Sequence, residues 1–321
     1  MAICLGCLSS FSQVVFSETA QQGQASHFTI QVGIDLWPGY YPVILAKELG
    51  IFKKYNLDVN IILPEHTDNM LGDFVSGKLD VVCVAMGDAF TLLARDPDLR
   101  VVWVSDESAG GDALLSLKPL NSPNNTKPIK IGTNLLGFGE IFIERYLASA
   151  SISKDNVVLV QQDSAQALAY LRDGIVDIAH AWEPYVTEVT QYLKSRIIFD
   201  SSQTPGLIPD TVLFNGKFRK NHPLQGKRFI AAWLEATQWW LNNREQGDAM
   251  LDSYLVVMPG SINLKGVKLY TGDNNKRAFT KADDMSSLYF VAQIYSDFFY
   301  KNGVLKKNIN PESLLDSSFL P

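Results

Sequence analysis

The feature that most restricts what this chain can fold into is a pattern used twice. From Phe74 it reads Phe-Val-Ser-Gly-Lys-Leu-Asp-Val-Val-Cys-Val-Ala-Met-Gly-Asp-Ala, and from Leu171 it reads Leu-Arg-Asp-Gly-Ile-Val-Asp-Ile-Ala-His-Ala-Trp-Glu-Pro-Tyr. Each copy predicts a helix ending at a glycine in the left-handed conformation, then a short apolar strand, then a turn bearing a carboxylate and an aromatic ring. Gly77 and Gly174 are the expected caps, with strands at 81–85 and 178–181. The repetition reads as corresponding parts of two lobes.

In open α/β sheets, ligands bind beyond the carboxyl ends of the strands, where loops meet helix starts. Asp88 in the first copy and Trp182 and Glu183 in the second fall at that place, so the cleft is expected between the lobes. Asp80 and Asp177, at the strand beginnings, read as turn or capping residues.

Earlier in the chain, residues 28–35 alternate apolar and polar as a first strand. Trp37-Pro-Gly-Tyr-Tyr follows, and Pro42 suits the first position of a helix over 43–49. Trp37, Tyr40 and Tyr41 thus lie between a strand end and a helix start, where three aromatic rings read as a ligand wall. Residues 57–63 and 101–104 read as strands, 69–76 and 88–95 as helices with Phe90 facing the cleft, and 106–112 as a Gly-containing loop near it.

The stretch 119–128 is a run of turn formers with no apolar period, so the first crossing between lobes is expected there. Gly137 and Gly139 flank Phe138 and precede Glu140, and this start of a helix through Ala150 leaves backbone N–H groups accessible to a polar ligand group. A dinucleotide fingerprint is excluded because the third glycine is missing. The stretch 201–209 reads as the return crossing, and Asp210 opens the returning strand at the cleft. The expected division is therefore a leader and linker at 1–27, a discontinuous first lobe at 28–118 plus 210–321, and a second lobe at 119–209. Phe229, Trp233, Ala236 and Trp240 keep helical spacing and read as core.

With 321 residues, 46% hydrophobic and 19% charged, the chain is long enough for two lobes with a sizeable core. A net charge of −6 without a basic stripe argues against a nucleic-acid surface. Residues 1–16 are apolar and small without Lys or Arg, like the hydrophobic region of a secretory signal, with a cleavage position after Ser17. Cys7 follows Leu5-Gly6 and loosely resembles a lipoprotein box; the missing basic start points to a start codon upstream. These features place the protein in the periplasm or at the cell surface. Cys83 and His180 both fall within apolar strands and read as buried core residues.

No Walker loop, His-Glu-x-x-His, Gly-x-Ser-x-Gly or Cys-x-x-Cys occurs, and no nucleophile, base and orienting acid assemble, so binding without catalysis, cofactor or metal is expected. The candidate site residues Trp37, Tyr40, Tyr41, Asp88, Phe138, Gly139, Glu140, Trp182, Glu183 and Asp210, with Tyr185 beside them, are rich in carboxylates and aromatic faces. They offer no Arg clamp. That composition favours a ligand with an amine or protonatable nitrogen.

The segment from Trp37 to Val59, with Ala46-Lys-Glu-Leu-Gly-Ile-Phe52 as its most specific part, the two Gly-x-x-Asp units and Ala181-Trp-Glu-Pro-Tyr185 resemble the ABC-transporter substrate-binding proteins of the nitrate, sulfonate, taurine and thiamine-precursor group. The resemblance spans about 28–243. It implies a type II periplasmic-binding fold with two hinge crossings, a monomer that closes on a small molecule and a membrane permease as partner. Such proteins take anions, zwitterions and pyrimidines; the acidic residues lean toward a thiamine-precursor pyrimidine or an amine, with nitrate or sulfonate as the anionic alternative. A sensor module of the same fold is the other alternative. The Cys-rich segment of the pyrimidine-synthesising enzymes of similar fold has no counterpart here.

Overall fold

The computed structural model describes residues 28–64, 67–118 and 127–321. The leader, its cleavage position, Cys7 and His66 lie outside the described residues. The chain begins β1 (Phe28–Gly33), α1 (Pro42–Glu48), α2 (Ile51–Lys54), β2 (Leu57–Ile62), α3 (Thr67–Val75), β3 (Val81–Ala85), α4 (Met86–Leu93) and β4 (Arg100–Ser108). It continues β5 (Asp112–Ser116), β6 (Ile129–Thr133), α5 (Phe138–Ser149), β7 (Val157–Gln161), α6 (Ala167–Arg172), β8 (Ile178–Trp182), α7 (Tyr185–Leu193) and β9 (Arg196–Asp200). The last part is β10 (Pro209–Phe214), α8 (Gly216–Asn221), α9 (Pro223–Asn242), α10 (Arg244–Leu255), β11 (Val267–Leu269), α11 (Gly272–Ala278) and α12 (Leu288–Lys301).

Two sheets result. The first has the order β11-β4-β10-β3-β1-β2 and the second β7-β6-β8-β5-β9. In each, the central strands run parallel (β1 with β2 and β3; β6 with β7 and β8), and the strand beyond them, β10 or β5, runs antiparallel. Strands such as β3 are buried along their whole length, which is why Val-Val-Cys-Val-Ala is a continuous apolar run and not an alternation.

The two repeated units fold alike in atomic detail. Gly77 and Gly174 have φ of 77° and 68°, a conformation that favours glycine. After each, the next amide reaches back over the last helical turn, Lys78 N to Asp73 O at 3.0 Å and Ile175 N to Tyr170 O at 2.9 Å, closing a six-to-one C-cap. Asp80 then exchanges two bonds with Gln31 of β1: its N–H donates to Gln31 O and its Oδ2 accepts from Gln31 N, both at 2.9 Å. Asp177 does the same with Lys130 of β6, again at 2.9 Å. These aspartates clamp helix end to strand and stay away from any cleft.

Sheet membership moves one boundary. β5 pairs with β8 and β9, so the chain passes from the first sheet to the second at 109–111 and not at the 119–128 run, of which 119–126 lie outside the described residues. The signal is small because the passage is Ala-Gly-Gly. Ala109 N and Gly111 N both donate to Gly266 O, at 2.8 and 3.0 Å. A Cβ on Gly111 would fall 2.6 Å from the Trp37 ring, so only glycine fits this close approach. The second passage is 201–208, and it touches the first: Gly110 N donates to Ser201 Oγ at 2.7 Å. Two strands of chain lie side by side between the sheets.

The first sheet is backed by α1 and α9. Phe229, Trp233, Ala236 and Trp240 are wholly buried on α9, with Phe229 stacked on Phe52 at 5.4 Å. Truncating any of the three aromatics to Ala costs about 3–5 kcal/mol in a packed core. Among the described residues no helix is long and apolar enough to cross a membrane.

Candidate ligand-binding cleft

Between the sheets lies a narrow cavity, with about 580 Å³ of free space when its open mouth is counted. The first sheet and its turns supply Asp35, Trp37, Tyr40, Cys83, Ala85, Asp88 and Asp210. The second supplies Asp112, Thr133, Asn134, Gly137, Phe138, Gly139, His180 and Trp182.

Trp37 and Tyr40 are placed by a single 3₁₀ turn, Pro38–Tyr40, directly after β1. Both are buried, and both spend their polar atom on a carboxyl. Trp37 Nε1 donates to Asp106 Oδ1 at 3.0 Å and Tyr40 O–H donates to Asp210 Oδ1 at 2.5 Å. Ser105 Oγ donates to the other oxygen of Asp106 at 2.8 Å. Burial pushes the Asp106 carboxyl up to about 7, against the bonds from Ser105 and Trp37. Burial, and next the neighbouring Asp106, hold Asp210 well above the ordinary carboxylate range. Burial also raises Tyr40 and Cys83 well above their usual values, so both remain protonated.

The opposite wall is different. His180 Nδ1 lies 3.0 Å from Thr133 Oγ1. His180 Nε2 lies 3.3 Å from Asp112 Oδ1, but the pair is not aligned as a hydrogen bond, and neither atom has another partner. Both therefore keep capacity for a third group. Phe138 and Trp182 close this wall, 6.1 Å apart and each within 6.2 Å of the His180 ring. α5 begins here after Gly137, which has no side chain of its own to cap the first amides. Asp88, in the first turn of α4, comes from the opposite side: a Cβ on Gly137 would fall 2.9 Å from its Oδ1. Likewise a Cβ on Gly87 would fall 2.8 Å from the Phe138 backbone, so α4 and α5 meet through glycines.

Of the residues singled out in the sequence, Trp37, Tyr40, Asp88, Phe138, Gly139, Trp182 and Asp210 line the cavity. Four others go elsewhere. Glu183 is buried but folds back on the start of α7, where Oε2 accepts from Thr187 N at 3.1 Å and Oε1 from Thr187 Oγ1 at 3.0 Å. It satisfies a helix N-terminus, the usual work of a carboxylate there. Tyr41 faces a wider outer groove with Glu183 and Thr187. Glu140 accepts from Leu136 N at 2.7 Å and so turns to its own loop. Phe90 packs into the core against Tyr295 and Phe299.

Asp35, Asp112, Thr133, Asn134, Cys83 and His180 were not among the candidates, and Asp106 stands behind the wall. Cys83 and His180 are buried, as their apolar strands imply, yet they sit on the cavity side. One sequence signal points to them: both stand three residues after the clamping Asp. Among the described residues no group of His, Cys, Asp or Glu has the arrangement to hold a metal ion.

Two sheets joined by two adjacent passages, with a cavity between their strand ends, define a type II periplasmic-binding-protein fold. Residues 37–247, about two thirds of the chain, match the family model described as NMT1/THI5 like, and the chain belongs to that family. A Bacillus subtilis protein provisionally named for binding aliphatic sulfonates is 21% identical over 90% of this chain and 87% of its own length. The 4-amino-5-hydroxymethyl-2-methylpyrimidine phosphate synthase of Candida albicans is 26% identical over 71% of both chains. Among solved structures, the periplasmic nitrate-binding protein NrtA from Synechocystis PCC 6803 superposes with a TM-score of 0.74 at 15% identity, over 91% of this chain and 86% of its own. These names span two anions and a pyrimidine-making enzyme, and none of the three speaks for a signalling role.

Proposed function

We propose that this chain is the extracytoplasmic solute-binding component of an ABC importer, and that it captures a small cationic nitrogen compound between its two sheets. The names of its relatives support solute binding and an extracytoplasmic setting. The ligand class rests on one observation: the cavity is lined by Asp35, Asp88, Asp112 and Asp210 and by four aromatic side chains, with no Lys or Arg among the lining residues. Asp112 and Asp210 are buried there, and a protonated nitrogen answers such carboxylates through charge-assisted hydrogen bonds. Trp37, Tyr40, Phe138 and Trp182 add faces for cation–π contact or for stacking on a flat ring. An amine and a thiamine-precursor pyrimidine both meet this description.

The start of α5, where Gly137 stands at the N-cap, is the one feature that favours an anion such as nitrate or a sulfonate. Asp88 already stands beside Gly137 at that start, so an anion would meet a carboxylate there. A non-catalytic role is part of the proposal. Thr133, His180 and Asp112 follow the order of a nucleophile, base and acid, but the His180 and Asp112 atoms are not aligned as a hydrogen bond.

Calorimetric titration with charge-swapped pairs tests the reading, benzylammonium against benzylsulfonate and ethylammonium against ethanesulfonate. The ammonium members bind and the sulfonates do not. Binding of the sulfonates alone would overturn the ligand class.

A further inference from the structure

Asp106 contacts no open space, yet it stands behind the wall where a cation would sit. It faces Asp210 across neighbouring strands β4 and β10, and the two are 0% and 4% exposed. As register partners on antiparallel strands, their side chains rise from the same face of the sheet as neighbours.

We propose that Asp106 and Asp210 hold a single proton between them in the ligand-free protein, and that a cation enters this wall only in exchange for it. The exchange rests on the cation reading of the cleft; the shared proton does not. It makes Asp106 a specificity-determining residue although it lies outside the cavity.

Geometry carries the proposal. Two carboxylates this close and this dry cannot both be ionised without a cation, whereas a carboxyl and a carboxylate bond each other well. Asp106 has both oxygens held, Oδ1 by Trp37 and Oδ2 by Ser105, and Asp210 has Oδ1 held by Tyr40. Asp210 Oδ2 is left as the oxygen that faces the exchange. The 3₁₀ turn seals the pair from above, since a Cβ on Gly39 would fall 1.8 Å from Asp106 Oδ2.

No neighbour supplies compensating charge. Tyr40 on the 3₁₀ turn, Cys83 on β3, Asp88 on α4, Asp112 on β5, Tyr270 after β11 and Tyr295 on α12 are titratable groups that interact with the pair, and all are acids. Glu107, next to Asp106, turns to Tyr270 at 2.7 Å and Lys268 at 3.4 Å. His180 belongs to Asp112 on the far wall. The raised Asp106 carboxyl, pushed up to about 7, agrees with a retained proton.

On binding, the O–H bond between the carboxyls breaks, the proton leaves to solvent, and N–H donors of the cation replace it. The charge of the wall is then unchanged. For as long as the ligand-free pair keeps its proton, each bound cation releases one, so affinity rises by up to tenfold per pH unit.

Infrared difference spectroscopy on ligand-free protein at pH 6 decides the first half. The protonated-carboxyl C=O band, shifted by deuterium, is present in the native protein and changes in frequency or is lost in Asp106→Asn and Asp210→Asn. A folded native protein without that band overturns the proposal. Should either variant fail to fold, carbon-13 NMR of aspartate carboxyls in the native protein replaces it: two coupled carboxyls titrating near neutral pH support the shared proton, and ordinary acidic titration of all of them overturns it. Adding benzylammonium then removes the band and releases a proton to a pH indicator. A band that persists with benzylammonium bound overturns the exchange. If benzylammonium does not bind, the cation reading of the cleft falls, and the band alone decides the shared proton.

Discussion

Cys83 on β3 and His180 on β8 occupy the same place in their units, three residues past the clamping Asp80 and Asp177, and both line the cavity. The correspondence extends outward. Asp210 pairs with Ala85 at the end of β3, and Asp112 pairs with Trp182 at the end of β8. Asp35 stands two residues beyond Gly33, which aligns with Val82, and Asn134 stands two beyond Gly132, which aligns with Ala179. One backbone plan thus carries Asp35, Cys83 and Asp210 on one wall and Asn134, His180 and Asp112 on the other. Asp210 has an acid, Asp106, as its neighbour and Asp112 has an imidazole. The same geometry gives an acidic wall and a mixed one, and a cation is best held against the first.

The sharpest break of that pairing is to neutralise the two corresponding aspartates in turn. Asp210→Asn lowers benzylammonium affinity about a hundredfold, since truncating one partner of a buried charge pair costs about 2–5 kcal/mol. Asp112→Asn, on the wall that also carries His180, lowers it about tenfold, near the 1.5 kcal/mol of one charge-assisted bond. Calorimetric titration reads both. Equal losses would mean that the walls do not differ.

The pH dependence of stability comes next. The native state holds a proton at Asp106 up to pH of about 7, while the unfolded carboxyl loses it near its ordinary value of 3.8. Between those values the folded protein binds more protons, so stability falls as pH rises from about 4 to about 7. Denaturant unfolding from pH 4 to 8 shows this fall in the native protein and a smaller one in Asp106→Asn. Parallel curves would contradict it.

The smallest effect separates Asp88 from Glu183, the carboxylates that the repeated pattern placed together. Asp88→Asn lowers benzylammonium affinity by about tenfold, as loss of one charge-assisted bond does. Glu183→Gln leaves affinity unchanged and lowers stability by about 1 kcal/mol, the cost of a weakened helix cap. A loss of affinity in the second variant would return Glu183 to the cleft.

These residues also show how far the sequence could be read. Gly77, Gly174, Asp80 and Asp177 act through backbone, and backbone requirements are local, so their places could be read directly. The wall aromatics Trp37 and Tyr40 follow from a strand meeting Pro42. The direction of a side chain beyond the strand end is not local. α4 begins at once after β3, whereas two residues, Glu183 and Pro184, separate β8 from α7, and that difference turns Glu183 to its helix. Inside fully buried strands every position looks apolar, so the apolar pattern alone did not show that Cys83 and His180 face the cavity. The passage at 109–111 was masked because its glycines serve close approach to Trp37 and Gly266, while the proline-rich 119–128 run carried the stronger turn signal.

Native mass spectrometry of protein purified without refolding tests the central claim most directly, by identifying the compound that leaves on gentle activation. The acidic wall predicts a small molecule with a protonated nitrogen. Nitrate or a sulfonate released from the cleft would contradict it.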